Sequence, residues 1–198
     1  MSDGPSQRRY HHGDLRTALL EAAERSIRSH GVAEVALRDL AREVGVSHAA
    51  PRRHFPERQD LLDALAEVGY RRLGEQIRGA VADGEADFAT RVHRAASAFA
   101  HFATENAALL ELMNATKHRH GASGIPRAAE AAYAPLLDLI RQGLAEGELG
   151  DGDPEEIGLI LYATINGITT LVNTGAIEPG RLDELTLTAV DQFLKGAS

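Results

Sequence analysis

Apolar residues recur at intervals of three and four along the chain and no run alternates cleanly at period two, a regularity that confines the sequence to packed helices. Leu15, Leu19, Ala22, Ala23 and Ile27 form one stripe of a first helix that opens near Asp14 and closes at Gly31. Leu37, Leu40, Ala41 and Val44 carry the period through a short second helix ending at Gly45, where a left-handed turn costs nothing. Ser47 then predicts the cap of a third helix of about two turns, stopped by Phe55-Pro56. A longer helix follows from Glu57 through Leu61, Leu62, Leu65, Val68, Leu73 and Ile77, before the region of Gly79 and Gly84. Beyond it the pattern predicts helices over 87–104, 106–118, 125–145, 154–173 and 179–194, separated by Gly, Asp and Pro clusters, with no internal repeat.

Several classes of function are excluded early. Cysteine is absent, which removes disulfides, thiolate zinc sites and cysteine nucleophiles, and fits a reducing, cytoplasmic setting. Arg8-Arg9 imitates a twin-arginine signal, but Tyr10-His11-His12-Gly13-Asp14 follows where an apolar stretch belongs. The most apolar run, 157–172, contains Thr164, Asn166, Gly167, Thr169 and Thr170 and reads as a buried helix, so no membrane partner is expected. The net charge of −8 opposes overall attraction to nucleic acid, yet it is unevenly spread. Residues 1–60 carry 10 Arg against 9 acids, whereas 61–198 carry 11 basic against 20 acidic residues. Five of the nine His also fall in the first sixty residues.

Residues 37–55 have the physical grammar of a helix-turn-helix. Ala41 is small where two helices approach closely, Gly45 permits the turn, and Val46 fills the angle between the helices. The helix after Ser47 then projects its first residues outward, where a major groove accepts them. Gly45-Val46-Ser47, then His54-Phe55 and the basic Arg58 before Leu61-Leu62, resembles the signature of the TetR family. The opening from Tyr10 to Leu20 resembles a well-populated branch of that family, and Asn166-Gly167 echoes the branch's His-Gly element. The motif match covers about the first third of the chain; the remainder agrees in the number and order of its helices.

The resemblance implies an all-α fold: an N-terminal three-helix helix-turn-helix DNA-binding domain followed by a C-terminal helical ligand-binding and dimerisation bundle. In this reading 1–12 is a flexible basic arm, 13–56 the DNA-binding domain, 57–78 a linking helix and 79–198 the bundle. It implies a transcriptional regulator, a repressor released by an unidentified small-molecule effector, with double-stranded operator DNA and a second copy of itself as partners. No cofactor, metal or catalytic residue is expected. Carried over by position, Ser47, His48, Ala49, Ala50, Arg52 and Arg53 form the recognition surface, with Arg53 the candidate for donating twice to guanine. His54 and Arg58, with the amides opening the helix after Pro56, are expected on phosphates, Arg8 and Arg9 in a minor groove, and Arg38 is a further expected DNA contact.

Three positions depart from the family's pattern. Arg52 stands where Tyr is common, so its target is either a phosphate or a base. Ala36 stands where Ser or Thr usually caps the second helix. Pro51 lies inside the short third helix without an amide proton, which predicts an irregular first turn.

In the bundle, His101, Phe102, Met113, Asn114, Tyr133, Leu137, Tyr162, Asn166 and Thr170 combine polar and apolar groups as a small-molecule pocket does, although ordinary core packing and internal hydrogen bonding account for them equally. The two last helices carry apolar faces, including Ile157, Leu161, Ile168, Leu185, Val190 and Phe193. Either these faces pair with their twins about a two-fold axis, or one of the helices turns to its own core. A two-fold dimer must set its recognition helices roughly 34 to 36 Å apart, or a multiple, and that spacing is the quantity an effector changes. His11-His12 and His118-Arg119-His120 lack a third metal ligand at a telling spacing. The rival readings are an activator with the same head, and a helical carrier or enzyme. The sequence offers the enzyme no phosphate loop, nucleophile elbow or carboxylate dyad.

Overall fold

The computed structural model describes residues 12–117, 119 and 124–196. The basic arm expected over 1–12, with Arg8 and Arg9, lies outside them except for His12, which opens the first helix. The described residues contain no strand. Among them eight α-helices follow in order: α1 (His12–His30), α2 (Leu37–Glu43), α3 (Arg58–Val81), α4 (Phe88–Glu105), α5 (Ala107–Thr116), α6 (Gly124–Glu146), α7 (Pro154–Asn173) and α8 (Leu182–Gly196). The all-α expectation holds, and most helix ends fall within two residues of those predicted. The chain divides into two compact units, Met1–Leu65 and Ala66–Ser198, with the division inside α3.

In the first unit the predicted stripe is the core: Leu19, Ala22, Ala23 and Ile27 of α1 are buried with Leu40, Ala41, Phe55, Leu61 and Leu65. Gly45 ends α2 in the left-handed region, at φ 74°. Its amide donates to Arg42 at 3.2 Å and the Val46 amide reaches back to Ala41 at 2.9 Å, the paired bonds of a Schellman stop. Without Gly45 the chain could not turn toward residues 47–53 so abruptly.

The third helix differs from its prediction. Residues 51–53 form a single 3₁₀ turn, preceded by a bonded turn in which the Ala50 amide donates to Ser47 at 3.0 Å. Had Ser47 capped an α-helix, residue 51 would have made the first intrahelical bond, to the Ser47 carbonyl. Pro51 has no proton for it, so the segment closes on shorter i to i+3 bonds, with Arg53 donating to Ala50 and His54 to Pro51. Pro51 and Phe55 are buried and hold the turn down, and the Arg16 guanidinium lies 5.3 Å from the centre of the Phe55 ring.

The second unit is a bundle in which α4 packs against α5, α6, α7 and α8. Its apolar side supplies Val92, Ala95, Ala96, Phe99, Phe102 and Ala103 to the core. Asp87 caps it by accepting from the Thr90 amide at 2.7 Å, and this bond to the ionised form holds the Asp87 carboxyl below its ordinary value. In the part of α3 within this unit, Gly74 lets α6 approach until an added Cβ would stand 2.9 Å from the Ala132 Cα. His93 lies 3.0 Å from Asp191 and His101 2.9 Å from Asp183. The two pairs step equally and oppositely along the chain, so α4 and α8 run antiparallel with two polar rungs between them.

Candidate nucleic-acid interface and bundle cavity

Between Glu43 and Glu57 the chain carries no acid, and its sharp turns push most of its polar side chains outward. Ser47, His48, Ala49, Arg52 and Arg53 are exposed, while Ala50 and His54 are half-buried. Among the described residues nothing bonds or pairs with the side chains of Arg52, Arg53 or Arg38, the last exposed in the first turn of α2. An exposed cationic segment without acids of its own, pinned underneath by Pro51 and Phe55, is what a phosphate backbone and base edges require. The six predicted recognition residues lie on two consecutive tight turns, Ser47 to Ala50 in the first and Arg52 and Arg53 in the 3₁₀ turn over 51–53, in place of an α-helix.

Two expected phosphate contacts look different. Arg58 donates through Nε to the Val35 carbonyl at 2.7 Å and through Nη2 to the carbonyl of Val32, with a longer bond of 3.5 Å to Ala33. Its guanidinium thus staples the start of α3 to the connection between α1 and α2. At the same helix end the Glu57 amide donates to the Asp60 carboxylate at 2.8 Å, which satisfies one opening amide and sets a negative charge there. Ala36 stands at the N-cap of α2 with extended backbone and no side-chain bond, as its missing hydroxyl dictates.

In the second unit, Lys117, Tyr133, Leu136, Leu137, Glu155, Gly158, Leu159 and Tyr162 line a cavity of about 230 Å³. A smaller space of about 20 Å³ shares Tyr133, Leu136 and Tyr162 and adds Ile77, Phe99 and Leu161. The rings of Phe99, Tyr133 and Tyr162 form an edge-on cluster, with both other rings centred 5.4 Å from that of Tyr162. The Tyr133 hydroxyl is buried without a hydrogen-bond partner among the described residues. Burial above all, with Tyr162 and Tyr70 nearby, raises its pKa far beyond the usual tyrosine value, so it stays a neutral donor.

Of the residues predicted to bind a ligand, the cavity gathers Tyr133, Leu137 and Tyr162. His101 is half-exposed against Asp183, Asn114 is exposed, and the Thr170 hydroxyl donates to its own helix at Asn166. Phe102 and Met113 are core residues: Met113 fills the space beside Gly69, and its carbonyl accepts from the Tyr70 hydroxyl at 3.1 Å. Asn166 is half-buried and does not line the cavity. Lys117, Glu155 and Leu159 escaped sequence reasoning: Glu155 and Leu159 share one face of α7 with Tyr162, but no spacing along the chain links that face to Lys117, just after α5.

The expected dimer residues also divide. Leu161 and Val190 are buried in their own protomer, which corrects their assignment to an interface. Ile157, Ile168, Leu185 and Phe193 are half-buried. The apolar groups left open are instead Leu159, Ile160 and Leu171 on α7 and Leu187 on α8.

The family model for bacterial regulatory proteins of the tetR family matches residues 19–65. The chain is 30% identical over 159 residues to the nucleoid occlusion factor SlmA of Marinomonas sp. (strain MWYL1), covering 78% of this chain and 80% of that protein. It is similar to a protein of unknown function from Rhodococcus sp. RHA1, at 41% identity and a TM-score of 0.89 over 96% of this chain and 99% of that one. The TetR-family regulator PfmR of Thermus thermophilus shares the fold, at 20% identity and a TM-score of 0.72 over 89% of this chain and 97% of that one. With its helix-turn-helix, its exposed arginine turn and its helical bundle, the chain belongs to the TetR family of DNA-binding transcriptional regulators.

Proposed function

We propose that the chain is a cytoplasmic homodimeric repressor that holds double-stranded operator DNA through Arg38 and residues 47–54, and releases it when a small-molecule effector occupies the bundle cavity. The acid-free turn with unengaged Arg52 and Arg53 carries this reading. Arg53 reads a guanine, Arg52 adds a base or phosphate contact, and Arg8 and Arg9 extend the contact into a minor groove. No chemical step is assigned to the chain. No helix among the described residues is long and apolar enough to cross a membrane.

The dimer face is the exposed stripe of α7 formed by Ile160, Ala163, Thr164, Gly167, Thr170 and Leu171, continued by Leu187 of α8. Gly167 weakens a helix interior by roughly 0.5–1 kcal/mol relative to Ala. Yet nothing lies within 4 Å of where its Cβ would stand, so its own protomer gives no steric reason for it. Close approach of a second α7 supplies one.

Selection of bound sequences from a random DNA pool, at fixed salt, tests the reading with the intact protein beside Arg52→Ala, Arg53→Ala and the double variant. A palindromic site is expected. Arg53→Ala relaxes one symmetric position at a cost of about 1 to 3 kcal/mol, and the double variant no longer enriches the site. No enrichment by folded wild-type protein overturns the proposal. An effector that lowers operator affinity tenfold must itself bind tenfold more weakly to the operator complex, a coupling of about 1.4 kcal/mol.

A second reading comes from the name of the Marinomonas relative. If this chain shared a role at the nucleoid, its occupancy would spread over the chromosome, whereas an effector-controlled repressor occupies a few promoters, so genome-wide occupancy separates the two. Only the effector-controlled reading gives the bundle cavity a use.

A further inference from the structure

Three observations in the second unit define the chemistry of what the cavity takes. Its walls are apolar and aromatic, from Leu136, Leu137 and Leu159 with Tyr133 and Tyr162, and the two tyrosine rings meet nearly edge-on at 78°. An added ring continues such an arrangement in a way that an acyl chain does not. The Tyr133 hydroxyl is buried and makes no hydrogen bond of good geometry to a described residue, only Tyr162 lying close enough to act on it, and a ligand oxygen supplies the acceptor. Lys117 is half-buried on the same wall and has no ion pair with a described residue. The opposite charge, Glu155, is exposed in the first turn of α7, where its side chain has water to turn toward.

We propose that the effector is a small aromatic carboxylic acid, bound with its ring against Tyr133 and Tyr162, an oxygen accepting from the Tyr133 hydroxyl, and its negative charge facing Lys117. The space of about 230 Å³ lies below the usual range of roughly 300–1,000 Å³ for drug-sized ligands, and it suits a single ring with a short acid arm. This inference deepens the repressor reading and rests on it only for the word effector; the site's preference for an aromatic acid stands or falls separately.

Isothermal titration of the full-length protein with phenylacetate, phenylacetamide, phenethylamine and hexanoate tests it. Phenylacetate is expected to bind at least tenfold more tightly than each of the other three. Lys117→Met should abolish the advantage of the acid over the amide, Tyr133→Phe should weaken phenylacetate several-fold, and Glu155→Gln should tighten it. Equal binding of acid and amide, or preference for the amine, overturns the anionic assignment; equal binding of hexanoate overturns the aromatic one; absence of binding by all four overturns both. Fluorescence anisotropy with the selected operator, run on the same samples, keeps the two proposals apart. Operator binding without acid binding defeats the ligand class alone, whereas acid binding without operator binding defeats the repressor reading alone.

Discussion

Arginine is the most informative residue type in the first unit, because the same side chain does opposite work at neighbouring positions. Arg52 and Arg53 are exposed and engage no described residue, whereas Arg58 spends its donors on the carbonyls of Val32, Ala33 and Val35. Sequence alone could not separate these roles, since a basic residue before a leucine pair looks the same whether it meets a phosphate or a carbonyl. Arg58→Ala is expected to destabilise the protein by about 1.5–3 kcal/mol in urea unfolding, the range for bonds to a charged group. Once folded, it should leave the salt dependence of operator binding unchanged, whereas losing a phosphate contact lowers that slope by about one. Tyr70 gives a second test at this scale. Its hydroxyl bonds to the Met113 carbonyl, and burial, with Tyr162 adding to it, raises its pKa to about 12. The unfolded chain ionises first, near 10, so this residue's contribution is complete below pH 10 and disappears as the pH rises toward 12. A loss approaching about 2–3 kcal/mol across that window is expected, and Tyr70→Phe should remove it.

At the level of elements, most of the fold was legible because helix boundaries are written in short-range chemistry. Gly45, Asp87 and Asp153-Pro154 each mark a stop or a start that the backbone bonds honour. The recognition segment was legible in place and not in form: Pro51 cannot make the first α-helical bond and its ring crowds the Ser47 carbonyl, so the segment closes on tight turns. Ala36 marks an opportunity at the other end of the motif. Ala36→Ser supplies the missing side-chain acceptor at the start of α2 and is expected to raise stability by about 1 kcal/mol, measured by urea unfolding. Periodicity also misplaced part of the last two helices. It identifies which residues share a stripe, but two stripes of one helix can both be apolar; Leu161 packs into its own bundle while Ile160 beside it stays open.

For the whole molecule, the proposed two-fold face along that open stripe would govern whether DNA is held at one half-site or two. Leu171→Arg places a charge on the proposed two-fold face and should produce a monomer in sedimentation velocity without altering helix content. Loss of simultaneous engagement then weakens operator binding by about 10²-fold or more, while each head keeps its base preference. An unchanged dimer would move the interface elsewhere. The cavity was the least legible feature, because its wall is assembled from α6, α7 and the residue after α5, and no pattern along the chain could bring Lys117 to Tyr133.

The 3₁₀ turn at Pro51 also bears on how such a protein changes over generations. Its foundation is Pro51 and Phe55, both buried, whereas Ser47, His48, Ala49, Arg52 and Arg53 rest on nothing in the core. Surface substitutions of that kind typically alter stability by no more than about 0.5 kcal/mol. If these side chains choose the operator, as proposed, they can be rewritten one at a time in a protein that stays folded, so a duplicated copy can acquire a new regulatory address without first passing through an unstable ancestor.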